Sequence, residues 1–205
     1  MAIASGLSVG ACDDMQATGG IKNIFIREWN STGSPDQIAL GGSGTHSVTS
    51  IADSGGSTST WGVFETKIET PALIVSGTSE KNVNTYECSI TFNLPRIELT
   101  KLNAIQGFAG KCLMVMLEDT NLNWFVLGVS DTLTGGDGGL DIPVASHIGT
   151  RPQTFARLAS VEGGSGAAFS DENGLTVTIT ATQYELPRAF TGATPTMSGT
   201  VGTVA

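Results

Sequence analysis

The sequence predicts a mainly β protein, an antiparallel β-sandwich or barrel with one short flanking α-helix and long Gly/Ser-rich loops. Three observations carry that reading. Residues 86–93 and 175–182 alternate apolar and polar side chains with a period of two, the mark of strands with one buried face. Charged residues are only 14% of the chain while Gly numbers 27, a composition of turns and short strands. A single stretch, 97–109, spaces its buried positions by three and four as a helix does. With 205 residues and a hydrophobic fraction of 40%, the chain can bury one sizeable core, so residues 1–205 are expected to form a single β domain.

Taken in order, a Gly/Ser/Ala lead-in gives way to a strand over 21–29 after the Gly19-Gly20 turn. Residues 31–36 are loop. From 41 to 60 the chain is almost wholly Gly, Ser, Thr and Asp with isolated Val48 and Ile51, which cannot form a core alone. An extended loop or arm ordered against a neighbouring subunit is expected here, with Val48, Ile51 and the following Trp61 as candidate oligomer-interface residues. Strands are expected over 64–70 and 72–76, followed by a polar link over 77–84. The strand through Tyr86, Cys88, Ile90 and Phe92 should end at Leu94-Pro95, because proline lacks the amide that a ladder needs. Ile97, Lys101, Ala104, Ile105 and Phe108 then share one helical face, closed by Gly110.

The most apolar run, 112–117, is joined to a second, 124–127, by the polar stretch 118–123, so a hairpin is expected. This strand, helix and hairpin form the nucleus on which the rest packs. Further on, 133–141 is a glycine-rich turn and 154–161 a strand. Asn173-Gly174 turns the chain into a strand whose Leu175, Val177, Ile179 and Ala181 face one side and Thr176, Thr178, Thr180 and Thr182 the other. Residues 191–205, rich in Gly, Thr and Ala, are expected to be a flexible or partner-bound tail.

The net charge of −9 and a pI near 4.5, with basic residues scattered, exclude a nucleic-acid-binding surface of the usual basic kind. No stretch reaches the ~20 apolar residues of a membrane helix, and the N-terminal region has neither the charge nor the apolar core of a signal peptide. Val9-Gly10-Ala11-Cys12 matches a lipoprotein cleavage box only in isolation. Cys12, Cys88 and Cys112 are an odd count without C-x-x-C spacing, so reduced thiols are expected and neither a zinc site nor a disulfide framework.

No catalytic constellation assembles. Gly6-Leu7-Ser8-Val9-Gly10 has the hydrolase string but not the strand and helix that must flank its serine. His46 and His147 are the only histidines, both in loops. Residues 135–141 approximate a calcium nonapeptide, with the last aspartate one position late and in a single copy. Glu118 with Asp119, and Asp171 with Glu172, are carboxylate pairs at expected hairpin tips, where exposure suffices to explain them. No catalytic, cofactor or metal residue is therefore assigned. Asn30-Ser31-Thr32 fits a glycosylation acceptor without an export signal to give it meaning.

The strand 19–26, the strand 86–92, Glu118-Asp119 ahead of 123–128, and 171–179 together resemble the tail tube and related virion structural proteins of tailed bacteriophages. That resemblance implies a small β-sandwich or barrel with a flanking helix, and a homo-oligomer of hexameric rings stacked into a tube. It further implies other virion proteins as partners, DNA passing through an acidic lumen without specific binding, and assembly in the host cytoplasm into the virion. Another virion component (a capsid decoration, baseplate or internal protein) and a carbohydrate-binding β-sandwich using Trp29, Trp61 or Trp124 as a stacking platform are the alternatives, Trp61 being the favoured platform.

Overall fold

Uninterrupted apolar runs and alternating runs go to different sheets. The structure is a computed structural model describing residues 19–29, 37–41, 46–52, 61–65, 71–80, 83–129, 139–141, 155–165, 173–183, 185–192 and 197–200. In chain order its strands are β1 (Ile21–Glu28), β2 (Gln37–Leu40), β3 (Ser47–Ala52), β4 (Trp61–Glu65), β5 (Ala72–Glu80) and β6 (Val83–Pro95). After the helix α1 (Leu99–Phe108) come β7 (Leu113–Asp119), β8 (Trp124–Leu127), β9 (Gly139–Asp141), β10 (Arg157–Gly164), β11 (Gly174–Gln183), β12 (Arg188–Phe190) and β13 (Met197–Thr200).

Nine strands form a sheet in the order β13-β4-β1-β7-β8-β12-β3-β2-β9, and four form a second in the order β10-β11-β6-β5. The chain is thus mainly β, a sandwich of two largely antiparallel sheets and not a closed barrel, with one short helix among the described residues. The expected hairpin is β7 with β8, and the expected helix is α1.

The core between the sheets explains the alternation. Ile24 and Ile26 of β1, Phe64 of β4 and Leu113, Val115 and Leu117 of β7 meet Cys88, Ile90, Phe92 and Leu94 of β6 and Leu175, Val177, Ile179 and Ala181 of β11. The helix plugs this layer with Ile105 and Phe108, whose ring meets Phe64 edge-on at 5.8 Å. Each α1-facing residue read from the sequence is buried or half-buried, Lys101 included. Its ammonium donates to the carbonyls of Pro95 and Arg96, closing a corner where Arg96 has φ 61°. Asn173 holds the same corner, accepting the Arg96 amide at 2.7 Å and the Ile97 amide at 3.1 Å.

The other face of the large sheet is buried as well. Phe25, Met114, Met116 and Val126 pack with Trp29, Val63, Trp61 and Phe155, and also with Ile38 of β2 and Val48 of β3. Strands near opposite ends of the sheet share this cluster, so the sheet bends over its own face. Burial on both sides is why β7 reads as a continuous apolar run. A backbone bridge between Leu113 and Ala156, with reciprocal bonds of 2.9 and 3.0 Å, stitches the approach to β10 onto β7. Gly128, at φ 85°, fits there because a Cβ would lie 2.8 Å from both the Ala156 amide and the Leu113 carbonyl.

Several expectations are corrected. Val48 and Trp61 are fully buried within one chain and Ile51 is half-buried, so Val48 and Trp61 offer a partner no side-chain surface. The sequence 47–52 finds backbone partners in its own chain, β2 on one side and the distant β12 on the other. The rest of the expected arm, 42–45 and 53–60, lies outside the described residues. The link expected over 77–84 is instead the end of a long hairpin, β5 pairing with β6 as far as Glu80 and Val83. Within the expected tail, 197–200 is β13, parallel to β4.

Candidate functional site

Among the described residues, no strand or helix covers the face of the four-stranded sheet turned away from the core. Its chemistry follows from the alternation: with Leu175, Val177 and Ile179 turned inward, the threonines between them must face out. Thr178 lies opposite Thr91 with their hydroxyls 3.2 Å apart, and Thr176 donates to Asn93 Oδ1 at 2.6 Å. Register places Ser89 beside Thr180 and Glu87 beside Thr182. On one flank β5 adds Ile74, Ser76 and Thr78; on the other β10 adds Arg157, Ser160 and Glu162. The result is a sheet face of hydroxyls with carboxylates at Glu80, Glu87 and Glu162 and one guanidinium, Arg157.

The two flanks are edges. Among the described residues no strand pairs with the outer side of β5 or of β10. Ile74 is 59% exposed, Val75 37% and Val161 39%, high for apolar residues in strands. The sequence hid these positions because β5, almost wholly exposed, carries no alternation to mark a buried face.

The residues singled out for chemistry do not converge. His46 bonds through Nε2 to the Leu186 carbonyl at 2.7 Å, and its Nδ1 lies 3.8 Å from Glu185, whose carboxylate is bound at both oxygens by buried Arg188. This cluster ties the start of β3 to the approach to β12. Glu118 is not at an exposed tip: it is buried, accepting from Asn23 Nδ2 at 2.6 Å with Lys22 at 3.5 Å. Asp119 forms the turn, its carboxylate accepting from the amides of Asn121 and Asn123 and from the Asn123 side chain. Trp61 is buried, Trp29 stacks on Phe155 and Trp124 packs against Phe25, so the favoured aromatic platform is spent on the core. Ser8, His147, Asp171, Glu172 and the turn 135–138 lie outside the described residues.

Burial, and secondarily the charge of Glu87, pushes the Cys88 thiol up to about 11, so it stays protonated and unreactive at neutral pH. A cleft of about 280 Å³ opens where β6 ends beside the β10–β11 hairpin, lined by Asn93, Pro95, Gly163, Asn173 and Thr176 among others, with no titratable side chain. No group of three or more His, Cys, Asp or Glu suited to a metal occurs among the described residues, and no helix among them is long and apolar enough to cross a membrane. No protein-family model matches the chain, and no curated protein or solved structure matches it.

Proposed function

We propose that the chain is a structural subunit of a tailed-bacteriophage virion, a tail tube protein whose copies form stacked hexameric rings around an acidic lumen. The observation that supports this reading is the four-stranded sheet, which among the described residues is bare on its hydroxyl and carboxylate face and unpaired at both edges. A wall past which a polyanion slides must not hold it, and among the described residues this face carries three carboxylates to one guanidinium and no cluster of cations to bind phosphates. A ring of six such four-stranded sheets, at about 4.8 Å per strand, has a circumference of at least roughly 115 Å, enough to admit a DNA duplex. The subunit would assemble in the host cytoplasm, with other virion proteins as partners. Electron microscopy of the purified protein at high concentration is expected to show rings and stacked rings. Monomers alone under those conditions would overturn the proposal.

A further inference from the structure

A recess breaks the outer face of the four-stranded sheet where β6 ends and β11 begins. The register sets Asn93 beside Thr176, and two positions on it sets Pro95 beside Gly174, with Gly164 of β10 across from Gly174. These positions share the outer face, since Leu94 and Leu175 between them are turned to the core. Two glycines facing each other leave the corner without side chains, so the surface drops to the backbone there. A Cβ on Gly174 would lie 2.8 Å from the Leu94 carbonyl, whereas one on Gly164 would meet nothing within 4 Å. The cleft of about 280 Å³ is this recess.

What the recess offers a ligand follows from bonds already made. Thr176 donates to Oδ1 of Asn93, and the Ile97 amide donates to Oδ1 of Asn173, which also lines the cleft. Each side-chain amide has its oxygen engaged and its NH2 group left as the remaining polar end. Among the described residues nothing bonds either NH2 group. The lining holds no titratable side chain, and the neighbouring cations, Arg96 and Lys101, lie outside it and face Glu98. An anion would therefore meet no counter-charge, and Glu162 stands beside Thr176 to repel it. An apolar molecule would cover the NH2 donors without bonding them, which costs binding.

We propose that this cleft binds a single uncharged saccharide ring, with the side-chain amides of Asn93 and Asn173 donating to its hydroxyl oxygens. A sugar hydroxyl can accept from an amide and donate in turn to the remaining lone pairs of Thr176 Oγ1, so one ring answers the whole lining. Pro95 and the glycine Cα groups give its CH edges an apolar surface. The volume equals about nine liquid waters at roughly 30 Å³ each, room for a ring and not for a chain. An extended peptide, advancing about 3.3 Å per residue, would run past a recess bounded by 93–95 and 173–176. The site lies within one protomer and does not depend on ring formation.

The test titrates the isotope-labelled protein, by nuclear magnetic resonance, with the methyl glycosides of glucose, galactose, mannose and N-acetylglucosamine. Inorganic phosphate and N-acetylglycine N-methylamide serve as the anion and peptide probes. At least one glycoside is expected to shift the side-chain NH2 signals of Asn93 and Asn173, with a dissociation constant on the order of 1 mM, the affinity of a single small ring. Gly164→Leu, which fills the open side of the recess, and Asn93→Leu, which removes a donor, are each expected to weaken that binding at least about tenfold, while Thr182→Ala, further along the same face, leaves it unchanged. No shift at those two amides with any glycoside up to about 20 mM, twenty times that constant, would overturn the proposal. So would shifts with phosphate or the diamide alone, which would make the cleft an anion or peptide site, and so would glycoside binding that Gly164→Leu leaves intact, which would place the sugar elsewhere.

Discussion

The two sheets spend their surfaces differently. The central strands of the nine-stranded sheet are covered on both faces, by the inter-sheet core on one side and by the sheet's own bent ends on the other. Among the described residues, the four-stranded sheet is covered on one face only. Its second face carries hydroxyls and carboxylates, and among the described residues no strand borders either of its edges. Within one chain, then, a continuous apolar strand marks architecture and an alternating one marks availability.

That contrast is sharpest in charge tolerance. Val115, on the central strand β7, is fully buried, so Val115→Asp places an unpaired carboxylate in the inter-sheet core. The cost of several kcal/mol approaches the total stability of about 5 to 15 kcal/mol, and no folded protein is expected by circular dichroism or in the soluble fraction. Thr182→Lys, on the bare face opposite Glu87, is expected to shift stability by no more than about 1 kcal/mol. A folded Val115→Asp protein, or an unfolded Thr182→Lys one, would erase the distinction between the sheets.

Cys88 probes the covered side of β6 without breaking it. Its folded-state value of about 11 exceeds the ordinary thiol value of 9.0. The folded state therefore keeps its proton longer; the resulting stabilisation is complete below pH 9 and is lost as pH rises from 9 through 11. Across that window wild type should lose on the order of 2 to 3 kcal/mol that Cys88→Ala does not lose, measured by urea unfolding at each pH. Equal alkaline slopes in the two proteins would show that Cys88 is not held from water.

The smallest effect concerns the β7–β8 turn, where Leu122 sits exposed at φ 65°. Leu122→Asn, a residue more at ease in that conformation, should raise stability by up to about 1 kcal/mol. A lower melting temperature would mean that this leucine makes a contact its exposure belies.

Strands and helix were legible where local pattern and final environment agree. Leu175 to Thr182 alternate because one face meets a core, and α1 shows its inner face at helical spacing, even to a lysine that folds its ammonium back onto carbonyls. Val48 was misread because only Ile51 accompanies it in a stretch of Gly, Ser and Thr: its partners, β12 and the cluster around Phe25, come from remote parts of the chain. Glu118 was misread for a similar reason, since Asn23 and Lys22 reach it only once β1 and β7 pair. The candidate surface was half legible. Its threonine face is written in the alternation of β11, whereas its edges depend on which strands end up outermost, and no local pattern records sheet order.

The strand pairings also set a timetable. β11 joins β6 across nearly ninety positions, and β12 and β13 lie parallel to β3 and β4 from still further away. Such remote pairings close slowly, because each pays loop entropy before contacts accrue. Until 174–183 has left the ribosome, β6 lacks a neighbour on one side and β10 has no sheet to border. The β10 edge therefore comes into being late in synthesis, whereas β5 gains its edge early, from the local hairpin with β6, whose other side stays open until β11 arrives.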